Sequence, residues 1–242
     1  MICEASAFTF VPPRQVAGAR RVLLKPSAPD AAPYPATTSR ETLNEIICGI
    51  RKVTDADIIL LERPSEEKSA HAVYRSLGYD FPRVICLDVR DCPSVEIENP
   101  LPKPFALSTF WIPSVVLSCD FLISVVPFRV CPGGGQFTVH NLLGLLPLSK
   151  YTKESGGFHG MLQRVGTDRL LADLYFTVPF DLGVIDGRLM ATGQGGTPGC
   201  VEGYGKLIID EPFEADRQAS NAVGVSTDYL RLIEMARSNM LA

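Results

Sequence analysis

Six apolar runs in this 242-residue chain each stop at a charged side chain. RVLL (21–24) stops at Lys25, IILL (58–61) at Glu62 and VICL (84–87) at Asp88. FLISVVPF (121–128) stops at Arg129, LGVI (182–185) at Asp186 and KLII (206–209) at Asp210. Lys25 and Arg129 are the cations that would bind an anion. His140 and Asp186 have the chemistry of a general acid or base. Asn141, beside His140, can both donate and accept hydrogen bonds. A buried run must also surface somewhere, so each charge taken singly can simply mark the exit of the chain from the interior.

Two glycine-rich segments accompany these ends, CPGGGQ (131–136) and GQGGTPG (193–199). Gly193, Gly195 and Gly196 would let the backbone approach a ligand closely, and successive N–H groups there could cradle an anion. A plain structural turn is the competing reading. Neither segment is followed by G-K-[ST], and GQGGTPG does not open a helix directly after a strand, so both nucleotide fingerprints are absent. Asp216, with Glu211, lies in EPFEAD ahead of a helix, where acidic residues also serve as caps. His159 in GGFHG could join His140 and a carboxylate around a metal, but their spacing is not that of a ligand pair. Cys131 would need a neighbouring base to act as a nucleophile, and the sequence places none.

Elements must bring these residues together. The apolar runs are apolar on both faces, the pattern of strands buried between helical layers in a mainly parallel sheet. Residues 40–53 read as a helix, with Leu43, Ile46, Ile47, Ile50 and Val53 on one stripe. Thr38 and Glu41 suit a capping box. Further helices are expected over 67–77 (ending at Gly78), 161–176, 214–223 (ending at Gly224) and from about 226, where Met235 departs from the stripe. Segments 25–36 and 93–104 hold four prolines each, and the second reads as a short antiparallel excursion. The expected fold is one α/β domain over 1–242, a mainly parallel or mixed sheet flanked by helices. Its parallel strands would put their carboxyl ends, and the charges there, on one edge, where ligands of such sheets bind.

A net charge of −4 gives no footprint for nucleic acid. The longest apolar runs, 121–128 and 142–148, are too short to span a membrane, which takes about 18 residues. The N-terminal residues lack the basic start and apolar core of a signal peptide. Seven scattered cysteines with no C-x2-C pair read as buried thiols in a reducing cytoplasm. No motif names a cofactor or an oligomeric state.

The segments, in order, resemble the prokaryotic family called domain of unknown function 362, over roughly 21–240. VLLKPS is similar to its strand running into K-P-N, with Lys25 and Pro26 matching and Ser27 in place of Asn. ATTSRETLNEII resembles its T-x-P-E-V segment. LSCDFLISVVPFRV resembles A-D-x-I-I-N-x-P-K-x-K-T-H through Asp120 and Pro127, with Arg129 the nearest basic residue. VHNLLGLLP resembles L-K-N-x-x-G through Asn141 and Gly144, with His140 where a lysine is usual. VIDGRLMATGQGGTPG matches a further motif at Asp186, Gly193, Gly195 and Gly199, and EPFEADRQASNAVG matches another at Asp216. Members often carry a ferredoxin-like segment of clustered cysteines, which this chain lacks. The family is distantly similar to the N-terminal part of nickel-pincer lactate racemases, a likeness of fold that transfers no activity. The residues and the resemblance together suggest an enzyme acting on a small anionic substrate or cofactor. Alternatives are a non-catalytic accessory protein of redox systems and a metal-binding protein.

Overall fold

The computed structural model describes residues 1–65, 68–151, 156–193 and 199–240. Its elements run β1 (Ile2–Glu4), β2 (Arg21–Pro26), α1 (Arg40–Arg51), β3 (Asp57–Glu62), α2 (Ala70–Ser76), β4 (Val84–Asp88), β5 (Ser94–Glu98) and β6 (Thr109–Pro113). They continue with α3 (Ser114–Leu117), β7 (Phe121–Cys131), β8 (Gly134–Gly135), α4 (Gly157–Val165), α5 (Thr167–Thr177), β9 (Leu182–Thr192), β10 (Cys200–Asp210), α6 (Pro212–Val223) and α7 (Asp228–Met240). The main sheet has the order β1-β10-β9-β7-β2-β3-β4, with β8 paired to β7. β4, β3, β2, β7 and β9 are mutually parallel. Numbered along the chain, these five stand 3-2-1-4-5. The direction of winding therefore reverses between β2 and β7, where a doubly wound sheet leaves a crevice at its carboxyl edge.

Alternate residues of β2 show why its run is apolar on both faces. Val22 and Leu24 pack with Leu43, Ile46 and Ile50 of α1, while Leu23 packs on the other side with Leu170, Leu174 and Ile233 of α5 and α7. The sheet thus lies between two helical layers in one α/β domain. Among the described residues, no helix is long and apolar enough to cross a membrane.

Several expectations shift. β10 runs antiparallel to β9, so Asp210 falls on the opposite edge from the other strand-end charges and pairs with the Met1 amine at 2.8 Å. The cap of α1 is Ser39, whose hydroxyl accepts from Thr42 N. Thr38 is drawn away, because its hydroxyl accepts from Ser27 N and donates to Val125 O of β7 at 2.7 Å. α2 starts at Ala70 behind the cap Ser69. The single helix expected over 161–176 is two, α4 and α5, parted at Gly166 with φ 85°. Glycine adopts that left-handed backbone without the strain of a side chain. Gly78 and Gly224 end α2 and α6 with positive φ as expected. No cysteine is fully buried, and Cys48 and Cys200 are exposed.

The excursion at 93–113 is the antiparallel pair β5–β6. The segment between those strands is held by Asp173 of α5, whose fully buried carboxylate accepts the N–H groups of Phe105 (2.9 Å), Ala106 (2.7 Å) and Leu107 (2.9 Å). Asp173→Asn turns an amide donor toward these N–H groups. It is expected to cost roughly 1–3 kcal/mol, the penalty of one buried group left unsatisfied, read by urea unfolding.

Candidate functional site

A cavity of about 170 Å³ opens where the winding reverses, lined by the carboxyl ends of β2, β3 and β7 and by a 3-10 turn, His140–Leu145. At its base lies a buried ion pair. Lys25, 1% exposed, donates through Nζ to Glu62 Oε1 (2.8 Å), Pro26 O (2.8 Å) and Asn141 Oδ1 (3.1 Å). All three ammonium protons are thereby taken. Glu62 also accepts from Ala28 N (2.7 Å) and Arg63 N (2.8 Å). Asn141 donates in turn to Lys25 O (2.9 Å) and Ser124 Oγ (3.1 Å). Burial pulls the Lys25 ammonium below its usual range, and Glu62 resists that shift.

The turn brings Gly144 against the same pair. A Cβ there would stand 2.8 Å from Lys25 Nζ and 2.9 Å from Glu62 Oε1. Residues three apart stack on one side of a 3-10 turn, so Asn141 and Gly144 meet Lys25 together. N-x-x-G is the local sequence that permits this contact.

Arg129 and His140 also line the cavity. Arg129 donates through Nη1 to Ala36 O (3.1 Å), its one bond to a described residue, which leaves most of its five N–H donors unspent. Neither ring nitrogen of His140 bonds to a described residue. Burial, and after it the positive charge of Arg129, push the imidazole down to about 4. At neutral pH the ring is uncharged, with one nitrogen a donor and the other an acceptor.

Asp186, Asp216 and Gly193 do not line this cavity. Asp186 is fully buried beside α1. It accepts from Tyr34 Oη (3.1 Å), Arg188 N (3.0 Å), Arg188 Nη1 (2.8 Å) and the Thr42 hydroxyl. Its shell is that of a clamp holding the 25–36 segment and α1 to β9. Asp216 of α6 accepts from Thr138 N (2.8 Å), Val139 N (2.9 Å), Tyr229 Oη (2.8 Å) and the Thr138 hydroxyl. It thus fixes the peptide just before His140, and burial pushes its carboxyl up to about 7 against these four donors. Gly193 directly follows β9, with its N–H on Val130 O (3.2 Å). Gly195 and Gly196 lie outside the described residues.

Lys25, Arg129, His140 and Asn141 therefore share one cavity. Sequence reasoning passed over Glu62 and Gly144 as site residues, although both stood in view, one at a strand end and one in N-x-x-G. Among the described residues, no three His, Cys, Asp or Glu side chains come together to hold a metal, and His159 is exposed on α4.

The fold and this crevice define a doubly wound α/β domain with a small polar cavity at its switch point. The chain belongs to the family described as Domain of unknown function (DUF362), matched over residues 22–221. No curated protein matches it. Among solved structures it is similar to the lactate racemase apoprotein from Thermoanaerobacterium thermosaccharolyticum, at 14% identity and a TM-score of 0.56. The match covers 90% of this chain and 53% of that one, so the chain spans about half the racemase's length. The likeness is one of fold.

Lys25→Met leaves Glu62 buried without its counter-charge and should cost about 3–5 kcal/mol by urea unfolding. Adding Glu62→Gln should restore part of that loss. Gly144→Ala should cost roughly 1–3 kcal/mol through overpacking. Asp216→Asn should also destabilise, with a signature in pH. The folded carboxyl binds its proton more readily than the unfolded one, so wild-type stability relative to the variant should fall as pH rises from about 4 to about 7.

Proposed function

We propose that the cavity binds a small carboxylate or phosphate and that the protein is an enzyme acting on that anion. The observation that carries this reading is the meeting of Arg129, rich in unspent donors, with an unbonded neutral imidazole at His140 in the crevice of the sheet. Arg129 binds the anion, since a planar guanidinium matches two oxygens of a carboxylate or phosphate at once. The volume suits a ligand of about six heavy atoms, by comparison with cavities of ~150 Å³ that admit benzene. Lys25 holds the scaffold on this reading and does not touch the ligand, because its protons are engaged. Asn141 likewise orients Lys25 and the turn.

His140 supplies the proton chemistry. As a neutral ring it accepts a proton from a substrate O–H or C–H held beside the anion-binding group, and afterwards returns it. An entering anion offsets the repulsion from Arg129 and raises the affinity of the ring for that proton. Binding is therefore linked to proton uptake.

Thermal unfolding against inorganic phosphate, acetate and malonate tests the reading. At a hundredfold excess over Kd, a true ligand should raise Tm by about 5 °C or more. Arg129→Ala should abolish the rise. Affinity should increase as pH falls from 7 toward 5, because the protonated ring favours the anion, and His140→Gln should flatten that dependence. Absence of stabilisation by all three anions, or a rise that survives Arg129→Ala, would sink the reading.

A further inference from the structure

A second cavity, of about 520 Å³, lies apart from the first, between α5, α7 and the segment joining β5 to β6. Its walls include Leu101, Phe105, Met235 and Met240. Lys103 and Arg169 also line it, both exposed, and neither side chain bonds to a described residue. No acidic side chain lines it. We propose that this groove binds a medium-chain fatty carboxylate, its alkyl chain among the apolar walls and its headgroup on Lys103 and Arg169.

Three observations support a built site. One wall is preformed. Asp173 holds the N–H groups of Phe105, Ala106 and Leu107, while Asn99 bonds Leu101 N (3.0 Å) and Leu107 O (2.9 Å). The facing wall, α7, is anchored by Tyr229 and Ile233 in the core. Met235 and Met240, 45% and 55% exposed, turn away from that core into the groove. Met235 is the residue that breaks the helix's apolar stripe in the sequence, and the groove gives it a use. Unbranched thioether side chains adapt to a flexible alkyl chain. Finally, the charge is of one sign. Two cations beside an apolar trough complement a molecule with one anionic end, and the volume lies within the usual range for small-ligand sites.

Calorimetric titration of the full chain with hexanoate, octanoate and decanoate, below their micellar concentrations, tests the proposal. Affinity should rise about fourfold per added methylene. Decanoate should bind at least about tenfold tighter than decanol. The double variant Lys103→Glu, Arg169→Glu should erase that preference and leave decanol binding unchanged. Met235→Glu should weaken both ligands. These side chains are exposed, so melting curves should show all variants folded. No binding of decanoate, no dependence on chain length, or equal affinity for decanoate and decanol would overturn the proposal. So would a concentration-dependent dimer that Met235→Glu dissolves, with no fatty acid bound, since the groove would then join two copies of the chain.

Discussion

The buried pair of Lys25 and Glu62 is the constraint on which the site depends. Two charges withdrawn from water cost several kcal/mol each unless their remaining donors and acceptors are met. Here they are met, by Pro26 O and Asn141 Oδ1 on one side and by Ala28 N and Arg63 N on the other. The pair stitches β2 to β3, and Asn141 carries the connection to β7 through Ser124. Those three strands meet at the reversal of the sheet. A crevice that would otherwise be a loose gap between two halves of the fold acquires a fixed floor.

The same pair sets the position of His140. Its turn is gripped on both sides, by Asp216 at Thr138 and Val139 and by Lys25 at Asn141. Gly144 lets the turn lie directly on the ion pair. His140 sits between these anchors, its ring unbonded to any described residue. Rigid neighbours with one uncommitted ring between them are the arrangement expected of a group whose partner arrives from outside.

Most strands were legible because burial on both faces leaves an unbroken apolar run; all six runs became strands of the main sheet, although VICL lies at its edge with Ile85 45% exposed. What each terminal charge does was not legible, because that depends on strand order. Lys25, Glu62 and Arg129 end the three strands around the reversal, and they alone of the six reach the cavity. Asp88 lies one strand further out and bonds Ala70 N at the start of α2. Asp186 lies outward on the other side and clamps Arg188 and Tyr34. Nor could the sequence tell a free lysine from a paired one, since Glu62 is 37 residues from Lys25 and Asn141 is 116. The break at Gly166 was hidden because the apolar stripe continues through it. Thr38 and Ser39 are adjacent hydroxyls with equal local claim to the cap, and only the bond from Thr38 to β7 decides between them.

Charge balance carries the functional reading one step further. Lys25 and Glu62 cancel, so the positive field in the cavity comes from arginine. Arg63 spends part of its guanidinium on Leu143 O (3.4 Å) and the Phe158 ring. That leaves Arg129 as the cation facing a ligand on the proposed reading. Beside it the His140 ring is neutral, because burial and Arg129 together disfavour a second charge. A neutral, protonatable ring adds no standing charge to that of Arg129. On the proposed reading such a site favours a monoanion at neutral pH and accepts a second negative charge only as the ring takes up a proton. On that reading His140 couples anion binding to proton movement.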